Sequence, residues 1–547
     1  MSEHDYIIVG AGTAGCVLAN RLTASGTHRV LLLEAGGCDR SPWIRIPIGY
    51  GRTFSDPRYN WMYEAEADPA LNNRRAFWPR GKVLGGSGSI NAMVYVRGQP
   101  GDFDDWHAAG NPGWSWSEVL PYFRKLEDHA CGVSEYHGVG GPIHVSDVAA
   151  SVHPLCTTFL DACAHVGIAG TGDFNGAQPE GAGLWQVTIK DGRRVSSATA
   201  YLRPALRRRN LTLLLRAQAT RVLFGGTRAT GVEYLREGVR QVAQARREVL
   251  LAGGAINSPQ LLELSGIGDA GLLRSFGIAV RASLPAVGCG LQDHLAVAYF
   301  YRSRIPTLND QLAPWYGKVT AALRYGLTRR GPLAMSVNQA GAFLRSRAGL
   351  ERPNLHVYFN PASYSTTTTG ERRRLLNPDP YPGFLLSFNT CRPTSRGTVH
   401  IRSADPLGAP AIAPNSLSTA ADLQDVFDGA RVLRRIAAAA PLAAVIESER
   451  EPGREVQSEA AVLADFRARA GSVFHASGTC AMGPDSGKAV VDARLRVHGV
   501  AGLRVADASV FPNITSGNTN AATLMVAEKA ADLILADSLG GRGVTSV

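Results

Sequence analysis

The segment from Tyr6 to Glu34 constrains the fold more than any other. Tyr6-Ile7-Ile8-Val9 is a short uninterrupted apolar run, the pattern of a strand buried on both faces. Gly10-Ala11-Gly12-Thr13-Ala14-Gly15 follows at once, and Val17, Leu18 and Leu22 then recur at helical spacing. Arg29 to Leu33 reads as a second strand and ends in Glu34. This is a βαβ unit with a dinucleotide fingerprint. Gly10 permits the tight turn, Gly12 lets the backbone approach a pyrophosphate, and Gly15 lets helix and strand pack closely. The helix N-terminus offers N–H groups and positive partial charge to the phosphates. Glu34, 19 positions after Gly15, can accept both ribose hydroxyls and argues against NADP. The fingerprint alone does not separate NAD from FAD.

Three later segments favour FAD. Gly81-Lys82-Val83-Leu84-Gly85-Gly86-Ser87-Gly88-Ser89-Ile90-Asn91 is a second loop of small residues that could lie against a flat ring system. An NAD enzyme has no need for it so soon after the fingerprint. Val249-Leu250-Leu251-Ala252 reads as a buried strand and leads into Gly253-Gly254-Ala255-Ile256-Asn257-Ser258-Pro259, followed by Leu264-Ser265-Gly266-Ile267-Gly268. Gly502-Leu503-Arg504-Val505-Ala506-Asp507 reads as a late strand ending in an acid. Asn513, Ser516-Gly517-Asn518-Thr519-Asn520 and a long helix from Ala521 to about Ala536 come after it.

These segments, in this order, resemble the signatures of the glucose–methanol–choline oxidoreductases. Leu291-Gln292-Asp293-His294, Ser395-Arg396-Gly397-Thr398-Val399 and His475-Ala476-Ser477-Gly478-Thr479-Cys480-Ala481-Met482-Gly483 add to the likeness, which covers about residues 5–537. The resemblance implies an α/β fold with a discontinuous Rossmann-like FAD-binding domain, plus an α+β substrate domain with an antiparallel sheet. In those terms residues 1–300 are mainly the FAD region, with substrate-domain insertions near 100–200. Residues 301–465 are mainly the substrate domain, and 466–547 return to the FAD domain with the catalytic pair. The resemblance also implies the cofactor contacts. They are Gly10, Gly12, Thr13, Ala14, Gly15, Glu34, Ala35, Val83, Gly86, Ser87, Asn91, Met93, Val94, Val222, Ala506, Asp507 and Thr519. Asn91 to Val94 would line the isoalloxazine, Val222 would meet the adenine end, and Asp507 the ribityl–pyrophosphate region. Some relatives attach the flavin through a His in the glycine-rich loop; Ile90 stands there, so the FAD is expected to be non-covalent.

Alcohol oxidation by a flavin needs a base for the hydroxyl proton and a carbinol carbon facing flavin N5. A neutral imidazole suits the first task. The family pairs a His with a second His or an Asn, and His475 and Asn518 match the His–Asn version. Asn518 can hold the substrate oxygen but cannot act as a base. His294, His356 and His498 are read as structural. His475 with Cys480 offers too few ligands for zinc, so no metal is expected. Cys480 is read as a packed thiol.

The segment 300–390 is expected to roof the substrate pocket. For Trp315, Tyr316, Tyr325, Tyr358, Phe359 and Tyr364, core packing is the favoured reading; Val337-Asn338-Gln339 is read as reaching the cavity. No carboxylate cage for a quaternary ammonium is evident, so choline is not favoured. Asp173-Phe174-Asn175-Gly176 and Tyr201-Leu202-Arg203-Pro204-Ala205-Leu206 look similar to L-sorbose and polyethylene-glycol dehydrogenases. That points to a primary alcohol, sugar or polyol, with a quinone-like acceptor or O2 taking the electrons.

The net charge of +11 raises a nucleic-acid reading. Its basic runs, Arg207-Arg208-Arg209 and Arg372-Arg373-Arg374, are short, so solvated surface is preferred and no nucleic acid is expected. Weak peripheral contact with an anionic membrane is retained. The eight Cys form no C-x-x-C pair, and the N-terminus has no signal-like apolar stretch, so a cytoplasmic protein with reduced thiols is expected. A cyanohydrin lyase and an NAD-dependent reductase are the competing enzyme readings.

Overall fold

A computed structural model describes residues 3–364 and 377–540. The Arg372–Arg374 run lies outside them.

The fingerprint folds as the sequence implies. Strand β1 (Glu3–Val9) leads through Gly10 into helix α1 (Thr13–Thr23) and strand β2 (Val30–Glu34), which pairs parallel to β1. Four more strands follow in the chain: β3 (Leu211–Leu215), β4 (Ala217–Gly225), β5 (Arg228–Arg236) and β6 (Val239–Leu251). The sheet runs β3-β2-β1-β6-β5-β4. The last three residues of β6 also pair parallel with β7 (Leu503–Val505), so the first domain is assembled from three distant stretches.

Register brings the carboxyl ends of these strands to one edge. Val9 lies opposite both Leu33 and Leu251, and Leu251 lies opposite Val505. Helix α2 (Gly254–Leu264) leaves that edge after β6. Helix α3 (Thr519–Gly540) returns to pack against α1. Leu524, Met525, Val526 and Ala527 are all buried, as befits a helix apolar on every side. It starts at Thr519, two residues before the sequence pattern becomes apolar.

The second sheet is antiparallel throughout. Its strand order is Ile446–Glu451, Leu295–Ser303, Gly383–Thr390, Leu355–Asn360, Ala340–Leu344 and Gly181–Leu184. Gly471–Ser472 adds a short strand beside Leu295. The strand Leu295–Ser303 crosses the boundary drawn at 300, and Gly471–Ser472 belongs to this sheet rather than the first. Alternation decides which side chains face where. Val357, Phe359, Phe384, Leu386 and Phe388 enter a core with the helices Leu155–His165 and Ala420–Ala438. Tyr358, Asn360, Leu385 and Ser387 point the other way, over the first domain's strand ends.

Gly15 is the tightest point of the fingerprint. A Cβ there would sit 1.8 Å from the Gly10 carbonyl oxygen. Gly15→Ala should therefore cost about 1–3 kcal/mol of stability and strip the bound flavin. Thermal unfolding and flavin absorbance check this together; an unchanged melting temperature with full flavin content contradicts it.

Candidate active site

Between the two sheets lies a cavity of about 770 Å3, within the usual range of about 300–1,000 Å3 for small-molecule sites. Gly10, Gly12, Thr13, Ala14, Glu34, Ala35, Gly86, Ser87, Asn91, Met93, Val94, Asp507 and Thr519 line it, together with His475 and Asn518. Gly10 adopts φ 98°, and a Cβ there would meet the Ala252 carbonyl oxygen at 2.5 Å. A Cβ on Gly86 would fall 2.7 Å from the Gly12 Cα, so the two glycine loops close on each other as only glycine permits.

Glu34 accepts N–H bonds from Ala11 at 2.9 Å and Gly36 at 2.8 Å. Burial nevertheless lifts its carboxyl to about 7, because two backbone donors do not offset the lost water. Asp507 binds back to its own scaffold: Gly254 N–H donates to it at 2.8 Å, the Ser258 hydroxyl at 2.6 Å, and Ser509 N–H at 2.8 Å. It ties the start of α2 to the end of β7.

Four expected contacts do not face the cavity. Gly15 packs beneath it, Val83 joins Ile44 and Ile90 in a small cluster, and Ala506 is core. Val222 is also core, with its N–H donated to Ser265 Oγ at 2.8 Å. The cavity wall contributed by β4 is Ala217, Gln218 and Ala219 instead. The roof aromatics divide three ways. Tyr358 and Tyr364 line the cavity, Phe359 is core, and the Tyr325 hydroxyl donates to the Gly192 carbonyl. Trp315 and Tyr316 are neither roof nor core but exposed. Val337 and Asn338 reach the cavity; Gln339 instead accepts the His153 N–H at 2.7 Å.

The polar end of the cavity is built around His475. Its N–H donates to Asp293 Oδ1 at 2.7 Å, and Asp293 also accepts the Ser472 hydroxyl, while Phe474 N–H donates to Ser472 Oγ at 2.8 Å. Phe474 is held at φ 71°, a backbone strain that this network sustains. Burial raises the Asp293 carboxyl to about 6.

The His475 ring lies between two partners. Its Nδ1 is 2.8 Å from His294 Nδ1, and its Nε2 is 3.0 Å from Asn518 Nδ2. His294 Nε2 lies 2.9 Å from the Cys391 carbonyl oxygen. Asn518 Oδ1 is buried with no hydrogen-bond partner. Burial drives the His475 imidazole well below its ordinary value, aided by the neighbouring His294, His356 and Arg80. Burial likewise takes His294 to about 4.

Two contributors go beyond the sequence expectation. His294 is structural only in the sense that it touches the candidate base; the signal was its place beside Asp293 in one short motif. Arg194 holds the glycine loop, donating to Ile44 O at 2.9 Å, Gly88 O at 3.3 Å and Asn91 Oδ1 at 2.5 Å. Burial pulls its guanidinium down to about 9. Cys480 is fully buried, as expected. Among the described residues no cluster of potential metal ligands forms, and no helix is long and apolar enough to cross a membrane.

The GMC oxidoreductase family models match residues 4–296 and 393–527. The chain is a GMC oxidoreductase. It is 44% identical over 541 residues to a mitochondrial choline dehydrogenase of Mus musculus, covering 97% of this chain and 89% of that one. It is 41% identical over 538 residues to an alcohol dehydrogenase (acceptor) of Pseudomonas putida, covering 97% and 96%. Among solved structures, pyridoxine 4-oxidase from Mesorbium loti superposes with a TM-score of 0.87 at 31% identity, covering 97% of this chain and 98% of that one.

GMC oxidoreductases bind FAD, and this cavity fits it. The paired glycine loops leave backbone N–H groups at the start of α1 open to phosphates. The unpartnered Asn518 Oδ1 awaits a polar ligand. Glu34 gives a test. Its carboxylate is the form that accepts ribose hydroxyls, and its value near 7 means acid neutralises it in the empty protein. FAD affinity of the apoprotein should rise as pH passes upward through about 7. Glu34→Gln should bind FAD roughly tenfold or more weakly and lose that dependence. Fluorescence titration of apoprotein with FAD reads both; equal affinity in the variant contradicts the ribose role.

Proposed function

We propose that this GMC oxidoreductase oxidises an uncharged alcohol, such as a primary alcohol, sugar or polyol, to its carbonyl. His475 is the base and Asn518 the anchor for the substrate oxygen. The observation that carries the proposal is the directed chain Cys391 O, His294, His475, Asn518. A carbonyl can only accept, so His294 Nε2 carries the proton. A neutral His294 then offers Nδ1 as an acceptor, and the His475 Nδ1–H donates to it. His475 is left with a bare Nε2 facing the cavity, the atom a hydroxyl proton needs. With His475 well below its ordinary value, that lone pair is free at working pH.

FAD, when bound, supplies the acceptor for the hydride leaving the carbinol carbon. His475 Nε2 takes the hydroxyl proton, and the Asn518 amide N–H turns from the imidazole to the substrate oxygen. Phe474, fixed by Ser472 and the Arg80 bond to its carbonyl, keeps the imidazole in place.

The relatives' names, a choline dehydrogenase and an alcohol dehydrogenase, support an alcohol donor. The roof favours a neutral one. Among the described residues, Asn338, Tyr358, Asn360, Tyr364 and Ser387 line it with hydroxyls and amides, and the carboxylates of the cavity, Glu34, Glu64 and Asp507, come from outside the roof.

His475→Ala should keep FAD and lower the rate of flavin reduction by about 10²–10⁴. Asn518→Ala should stay yellow and slow. Stopped-flow reduction by a panel of primary alcohols, polyols and choline tests both the base and the substrate class. Retained turnover in His475→Ala contradicts the base, and choline as the fastest donor contradicts the neutral-substrate reading.

A further inference from the structure

The Trp315–Thr328 helix stands on the outside of the second domain and buries only Ala321 and Tyr325. On a wheel of about 3.6 residues per turn, its opposite side carries Trp315, Tyr316, Val319, Leu323 and Leu327. These are 76%, 61%, 49%, 61% and 85% exposed. Four of the five follow each other at four-residue spacing, so they form one continuous apolar stripe. Scattered exposed apolar residues are ordinary, but a contiguous stripe of this kind marks a contact surface.

Charge says what the contact is. Arg324 lies on one flank of the stripe and Lys318 on the other, while Arg329, its guanidinium 5.0 Å over the Tyr325 ring, and Arg330 follow at the helix end. All four are exposed, and none forms an ion pair with a described residue. The helix itself contains no acid. Among the described residues, the exposed Asp310 accepts the Thr307 N–H at its own helix start, and the exposed Asp191 stands next to Gly192. An apolar stripe with Trp and Tyr, bordered on both sides by cations, is the arrangement that settles into an anionic lipid surface. A second copy of the chain fits less well, since a twofold contact through the stripe would bring both sets of cations together.

We propose that this helix is a peripheral membrane anchor that docks on anionic lipid headgroups. Trp315, Val319, Leu323 and Leu327 enter the acyl boundary, while Lys318, Arg324, Arg329 and Arg330 meet the phosphates. The chain runs from the helix through Pro332–Ala334 to Val337 and Asn338 in the cavity wall, so the anchor holds the roof of the active site beside the bilayer.

The test uses the FAD-loaded enzyme and sedimentation with vesicles of phosphatidylcholine alone or mixed about two to one with phosphatidylglycerol. The enzyme is expected to sediment with the mixed vesicles, and less so as salt rises. Trp315→Ser with Leu327→Ser should lower partitioning at least about tenfold. Lys318→Gln with Arg324→Gln and Arg329→Gln should abolish the preference for anionic lipid. Both variants should keep full flavin and the wild-type rate of reduction by alcohol, since these residues lie outside the cavity. Absence of sedimentation with either vesicle, or a serine variant that sediments like wild type, overturns the anchor. A soluble dimer that the serine variant dissociates, with no vesicle binding, assigns the stripe to a second copy instead.

Discussion

The parallel pairing of β1, β6 and β7 is the constraint on which the rest depends. Val9, Leu251 and Val505 come from chain positions hundreds of residues apart and end side by side. Parallel strands cannot be joined by tight turns, so long connections must leave and return, and those connections carry the second domain. The open carboxyl edge is where an α/β sheet receives a ligand. Here it gathers Gly10, Glu34, Gly253 and Asp507 at once. Asp507 then binds the first turn of α2, which locks the C-terminal return to the middle of the chain. Thr519 and Asn518 reach the cavity only because that return is fixed.

The polar end of the cavity follows from burial. His294, His356 and His475 lie close together and away from water, so burial disfavours a proton on each, and the neighbouring rings add to this for His356 and His475. The three rings stay neutral, and hydrogen-bond direction rather than charge decides what His294 and His475 do. The Cys391 carbonyl sets that direction. Asp293, beside His294 in sequence, holds the backbone of His475, so one tetrad positions both the ring and its partner.

The first domain was legible because its signals are local. Buried runs, glycines with fixed duties and a terminal acid lie within a few residues of each other in β1, α1 and β2. His475 and Asn518 were legible through motifs, and the structure brings them to 3.0 Å. The roof was not. Tyr358 and Phe359 are adjacent in sequence and face opposite ways, and only strand register with Ser387 and Leu386 tells which faces the cavity. Val222 sits on a strand whose cavity-facing positions lie nearer its start, at Ala217 to Ala219. Trp315 and Tyr316 look like core in a sequence, and only the one-sided seating of their helix leaves them outside. His294 looked structural because its role lies in a contact 181 positions away along the chain.

The central claim is that a buried, neutral His475 takes the proton of an alcohol. The most direct measurement is the pH dependence of anaerobic flavin reduction by an alcohol substrate. A base held well below the ordinary imidazole value remains unprotonated into acid, so the rate should hold steady through neutrality and fall only below about pH 6.5. A rate that falls on acidification with a midpoint at or above about 6.5, or that does not depend on the His475 side chain, would contradict the account.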